Sequence, residues 1–145
     1  MRNDRRKDRY DMEKFELAGF AVEIDRLVTK SWYAKAEEWG CECGDCRHFL
    51  KLARDGRLPA PVTELLMKLS IPAEKATYVC QITPEGDGDL FQFSYRIAGR
   101  ILSEGDEKTR ADWVRCCHEP YPYGAPDFPE PHFDLEFWVV LPREA

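Results

Sequence analysis

The chain has 145 residues, a net charge of −6, and 43% hydrophobic residues. This length is typical of one domain with its own core, and the composition excludes a disordered chain. The acidic balance disfavours nucleic acid as a partner. No apolar run reaches the roughly 18 residues of a membrane span, so we expect no membrane partner either.

The start of the chain differs from the rest in charge. Residues 2–9 carry five basic and two acidic side chains, which could contact a phosphate. Nothing apolar anchors this stretch, so we interpret residues 1–12 as a flexible polar N-terminus and residues 13–145 as a single domain. The chain has six cysteines and starts with no export signal, which predicts a reducing compartment, the cytoplasm.

The first half of the domain carries both strand and helix patterns. Alternating apolar residues predict two short strand pieces over 15–17 and 20–24, joined by a bulge or a tight turn. Helical spacing of aromatic residues predicts a short helix over 31–39. We expect Asp45 to cap a helix over 46–54.

A further helix is expected to begin at Pro61, because proline suits the first turn, and to end before Pro72, which disfavours helical backbone at the preceding residue.

After Pro72 the apolar period changes to two. Strands are predicted over 77–83 and 90–102, which form a hairpin, and over 111–118 and 133–141. No crossover helices separate these strands. The sequence therefore predicts an α+β single domain with a mainly antiparallel sheet of four to six strands and two or three helices on one side.

The last two predicted strands are joined by a segment with five prolines, residues 119–131, which cannot pair in a sheet. Its interleaved aromatic side chains could bind a partner. We favour the alternative, a stiff connection whose aromatic residues cover the edge of the core.

Three thiols occur within six residues at Cys41, Cys43 and Cys46, here called the cysteine cluster. Zinc sites need soft, deprotonated ligands that converge within a few ångströms, and this density provides three of them. Cys46 is expected in the first turn of a helix, where the positive end of the dipole lowers thiol pKa values, and Cys43 could share this effect. The cluster is therefore a candidate metal site.

A tetrahedral zinc site needs a fourth ligand. His48 lies two residues after Cys46, and on a helix this spacing turns it away from Cys46. The strand end at Cys116–His118 is the better source. Cys116 and His118 share one face of the predicted strand and Cys117 lies on the other, so the pair and Cys117 are mutually exclusive donors. We therefore expect the fourth ligand from this strand end.

Two other interpretations of the cluster stay open. Cys43 and Cys46 have the C-x-x-C spacing of redox or metal-sensing pairs, although no βαβ pattern precedes them. A thiol-dependent or metal-dependent enzyme would use Cys46 as its nucleophile because of its position in the helix. Alternatively, the three thiols are reduced, unliganded and packed at the start of a helix.

The residues Cys41-x-Cys43-x-x-Cys46-Arg47 resemble one zinc motif of the glutathione-dependent formaldehyde-activating enzyme family. The second cysteine set and the glycine-rich strand motif of that family are missing here, so its fold and activity do not follow.

Most of the chain resembles a group of small uncharacterised bacterial proteins. The resemblance rests on the cysteine motif, on an apolar helix followed by Leu69-Ser70-Ile71-Pro72, on a hairpin that ends near 95–101, and on a final strand over 137–142. It implies a single bacterial, cytoplasmic domain and brings no activity with it.

The sequence as a whole favours a non-catalytic binding or accessory domain that could hold one structural zinc at the cysteine cluster. Its partner is expected to be a protein or a small molecule of unknown identity. The alternative is a thiol- or metal-dependent enzyme, or a redox or metal sensor, that uses the same cysteines.

Overall fold

The secondary structure comes from a computed structural model that describes residues 12–118 and 124–143. In chain order its helices and strands are β1 (Met12–Leu17), β2 (Phe20–Asp25), α1 (Arg26–Lys35), α2 (Gly44–Arg54), α3 (Ala60–Lys68), β3 (Tyr78–Glu85), β4 (Gly88–Ser103), β5 (Val114–Cys117) and β6 (His132–Pro142). A short 3₁₀ turn, Ala73–Lys75, precedes β3. The predicted α+β class is confirmed. Of the predicted polar N-terminus only Met12 lies within the described residues, and it begins β1.

The six strands form one antiparallel sheet in the order β1-β2-β4-β6-β5, and β3 also pairs with β4. The predicted hairpin of β3 and β4 is confirmed. β4 is 16 residues long and holds the sheet together. One edge of β4 pairs first with β3 and then with β2, while its other edge pairs with β6.

Gly99 lies in β4 where this strand pairs with β2. Its φ is 143°, a backbone conformation that side chains rarely adopt. A Cβ atom at this position would collide with the carbonyl oxygen of Glu23. The close approach of the two strands therefore requires glycine here.

The face of the sheet that carries Phe93 and Tyr95 packs against the helices. In α2, the Phe49 ring lies 4.8 Å from the Phe93 ring. In α1, the Tyr33 hydroxyl donates a 2.7 Å hydrogen bond to the carbonyl oxygen of Arg96. These contacts fix both helices over β4 and thereby fix the segment between them.

The opposite face of β4 and β6 is polar and also buried. Arg96 forms a 3.0 Å ion pair with Asp134, and both side chains are almost fully buried. Glu136, also buried, accepts a 2.8 Å hydrogen bond from Arg115. The alternation of the sequence predicted the two faces of β4, but not the burial of the polar one.

The first helix lies earlier in the chain than the predicted 31–39. The side chain of Asp25 accepts a hydrogen bond from the backbone N–H of Val28 at 3.0 Å, so α1 begins at Arg26 and ends at Lys35. β5 is also shorter than the predicted 111–118, since it spans Val114–Cys117.

The proline-rich segment 119–131 lies partly outside the described residues, since 119–123 are not described. Beyond them, Phe128 is buried, and its ring lies 4.8 Å from that of Trp32 in α1. This contact supports the interpretation that an aromatic residue of the segment covers the core.

In the part of the chain that the structure describes, no helix combines the length and the apolar character needed to cross a membrane.

Candidate metal centre

The cysteine cluster lies where an irregular segment, residues 36–43, runs into α2. Cys41 belongs to this segment, Cys43 is the residue that caps α2, and Cys46 lies in the first turn of the helix. The cluster is therefore held partly by a regular helix and partly by the contacts of the segment before it.

The segment before α2 is anchored at Glu38 and Trp39. Glu38 forms an ion pair with Arg54, whose Nε lies 3.0 Å from the carboxylate. The backbone N–H of Trp39 donates to the carbonyl oxygen of Glu74 at 3.1 Å, and its ring meets that of Tyr78 edge-on at 6.4 Å. These contacts place Cys41 beside the start of α2.

The sulfur atoms of Cys41, Cys43 and Cys46 all lie within 4.8 Å of one another. In a tetrahedral zinc site with Zn–S bonds of about 2.3 Å, neighbouring sulfurs are about 3.8 Å apart. To bind zinc, the distance between any two of the three sulfurs would therefore have to shorten by no more than about 1 Å. The cluster has the spacing that a metal ion requires, as the sequence predicted.

Cys43 is the N-cap of α2, and its sulfur accepts a hydrogen bond from the backbone N–H of Cys46 at 3.4 Å. This hydrogen bond lowers the pKa of Cys43, and the neighbouring thiols of Cys46 and Cys41 lower it further. The thiolate is the form that binds a metal. Cys43 is therefore the cysteine of the cluster that is best prepared for a ligand role.

Cys46 has the opposite environment. Its side chain is buried among core residues, with only 6% of its surface exposed, and burial raises its pKa to about 12. A bound cation would offset the energetic cost of ionising this buried thiol, because it places a positive charge next to the thiolate.

An interaction with the Trp39 indole lowers the pKa of the Cys46 thiol, but the effect of burial, which raises it, is larger. The Trp39 nitrogen is itself buried and makes no hydrogen bond. Indole N–H can only donate, and a metal-bound thiolate is a better acceptor than a thiol. Trp39 was missed at the sequence level, where its only signal was its position two residues before Cys41.

The other predicted ligands do not join the cluster. Cys116 is buried in β5, with its sulfur 3.9 Å from the carbonyl oxygen of Leu17. His118 is exposed just beyond the end of β5. In the sheet, β5 is separated from β3, the strand that α2 contacts, by both β4 and β6. The role of Cys116 and His118 as ligands stays a prediction.

His48 lies apart from the cysteine cluster, as the helical spacing predicted. Its Nε2 lies within hydrogen-bond distance of the carbonyl oxygen of Pro142, at the far end of β6. The side chain therefore links α2 to the last strand.

Two expectations about α2 were wrong. Asp45 lies inside the first turn, and the cap is Cys43, because the helix begins at Gly44. Consequently Cys43, not Cys46, occupies the position that favours a thiolate. Cys46 is buried with a raised pKa, which makes it a poor nucleophile.

The chain matches no protein-family model, no curated protein and no solved structure. The function must therefore be inferred from the site itself.

Proposed function

We propose that this protein is a non-catalytic accessory domain that binds one zinc ion through Cys41, Cys43 and Cys46. The observation that carries the proposal is the convergence of the three sulfur atoms within 4.8 Å. Three thiolates form a soft ligand set of the kind that selects zinc or copper(I) over magnesium, calcium or manganese.

The local structure around the cluster supports metal binding over chance proximity. The first turn of α2 directs backbone N–H groups at the Cys43 sulfur, and such outer hydrogen bonds are typical of metal-binding ligands. The Trp39 N–H, which is buried and makes no hydrogen bond, could give the same support to an ionised Cys46. The Cys43 sulfur therefore already accepts a hydrogen bond, and Cys46 has a candidate donor.

The composition of the cluster argues against an enzyme. A cysteine nucleophile is activated by a neighbouring base, most often histidine. Among the described residues no histidine or carboxylate joins the three sulfurs. The cluster therefore has ligands for a metal but no base of its own.

A redox or metal-sensing role is the second candidate, and one observation favours it. Cys41 and Cys43 are exposed, and the pKa of Cys43 is lowered, so an oxidant in solution could reach a thiolate. All six cysteines are free in the structure.

Metal analysis of protein purified without chelator tests the proposal. We expect one zinc per chain, and we expect cobalt(II) to replace it with the charge-transfer absorption of thiolate ligands. Cys41→Ser and Cys46→Ser should each abolish this absorption. Cys80→Ser is the matched control, because Cys80 lies outside the cluster. Protein that holds neither zinc nor cobalt would contradict the proposal.

A further inference from the structure

The cysteine cluster supplies three donors, and among the described residues no fourth sulfur, imidazole or carboxylate converges with them. All six cysteines and all three histidines of the sequence lie within the described residues. Only Cys41, Cys43 and Cys46 form a group with converging ligand atoms there. Structural zinc sites are closed by four protein ligands, whereas sites that bind a further ligand keep one position open.

The burial of the three cysteines shows where an open position would point. Cys46 is buried on the side of the core, while Cys41 and Cys43 are exposed. The core of the domain therefore lies on the Cys46 side of the cluster. Because two of the three ligands are exposed, we take the fourth corner of a tetrahedron on these sulfurs to face the solvent.

The charge of the site restricts what can bind there. A divalent ion with three thiolates carries a net charge of −1. Among the exposed residues next to the cysteines, the acidic Glu42 and Asp45 outnumber the basic Arg47. An anion at this position would raise the net charge to −2 beside the acidic side chains, whereas a neutral nitrogen donor would leave it at −1. Nitrogen of the imidazole type is also a common zinc ligand.

We infer that the metal in this site keeps its fourth position open to solvent and binds an external neutral nitrogen donor of the imidazole type. The inference rests on the proposed zinc site and adds the class of its ligand. An open site would bind a ligand, whereas a closed site would only stabilise the fold.

Titration of the cobalt(II)-loaded protein with imidazole tests the inference. We expect a saturable shift of the ligand-field bands with one imidazole bound per metal, and at least tenfold weaker binding of azide, an anionic nitrogen donor. Replacing Cys116 by alanine, or His118 by alanine, should leave the spectrum of the loaded protein unchanged before imidazole is added.

The possible failures are distinct. If cobalt does not bind, the proposed zinc site fails and the inference fails with it. If cobalt binds but imidazole leaves the bands unchanged, the site is closed and only the inference is overturned. The same holds if Cys116→Ala or His118→Ala alters the starting spectrum, because the strand end then supplies the fourth ligand. Binding of azide as tight as that of imidazole would overturn the ligand class.

Discussion

Cys43 has two roles that one sulfur atom can combine. As the N-cap it accepts the N–H of Cys46, and as a member of the cluster it faces two other thiols. Both roles favour negative charge on the sulfur, the first through the helix dipole and the second through a metal. Cys46 differs because burial opposes its ionisation. The two neighbouring cysteines should therefore be distinguishable by chemistry.

Alkylation of the metal-free protein should modify Cys43 well before Cys46. Only the thiolate reacts, so the rate at Cys43 should rise with pH and level off at a lower pH than for an ordinary cysteine, because its pKa is lowered. Cys46 should stay protected through pH 9, since its pKa is raised to about 12 and its side chain is buried. Mass spectrometry of peptides after timed iodoacetamide exposure measures both rates. Zinc should suppress alkylation at Cys43 but not at Cys80, and equal rates for Cys43 and Cys46 would contradict the prediction.

Replacing Trp39 by phenylalanine should weaken zinc binding by about tenfold or more, the usual effect of losing an outer hydrogen bond to a metal ligand. The variant retains an aromatic ring against Tyr78 and loses the N–H beside Cys46. Competition with a chromophoric chelator gives the affinity.

Trp32→Phe is the matched control for this experiment, because the Trp32 N–H donates to the carbonyl oxygen of Pro126 at 3.2 Å, away from the cluster. If Trp39→Phe and Trp32→Phe have equal zinc affinities, Trp39 has no specific role at the metal.

At the scale of elements, the sequence predicted the pattern of the fold better than its boundaries. The alternation in 90–102 identified β4, because burying one face of a strand imposes a period of two. The start of α1 was missed although Asp25 is a standard capping residue, because the apolar spacing that followed was weak. The start of α2 was missed because cysteine is not among the residues that usually cap helices.

In the candidate site, the sequence predicted the cysteines that lie close together in the chain but not the position of the distant strand. Local spacing brought Cys41, Cys43 and Cys46 together, since all three lie within six residues. Whether a distant strand reaches the cluster to supply a fourth ligand depends on the order of strands in the sheet, which local spacing does not reveal. No residue pattern fixed that β6 would lie between β4 and β5.

The cap and ligand roles of Cys43 can be separated by two substitutions. Serine is a good N-cap but a poor zinc ligand, so Cys43→Ser should lose zinc and keep the stability of the metal-free protein. Cys43→Ala loses both roles and should lower the free energy of unfolding by up to about 1 kcal/mol relative to Cys43→Ser. Urea unfolding with chelator and reductant present measures the difference. Equal stability of the two variants would show that a side-chain acceptor at position 43 does not stabilise α2.

At the scale of the whole molecule, the core and the cluster share one residue. Among the buried apolar residues of the described chain, Cys46 alone belongs to the cluster. Most of the remaining core residues come from the sheet and its helices. A chain of this length can bury roughly 68–70% of its unfolded surface. We therefore expect the core to form without a metal.

Removing zinc should leave the protein folded, with one cooperative thermal transition. Zinc at about 100 times its dissociation constant stabilises the folded state by about 2.7 kcal/mol, which corresponds to roughly 5 to 11 °C for a domain of this size. Calorimetry with and without chelator measures the shift, and circular dichroism at 25 °C should be the same in both states. Cys41→Ser is the control, because its midpoint should not respond to chelator. A metal-free protein without a cooperative transition would place this domain with the zinc fingers, whose folding needs the metal, because the sheet and helices would then not suffice to hold the chain together.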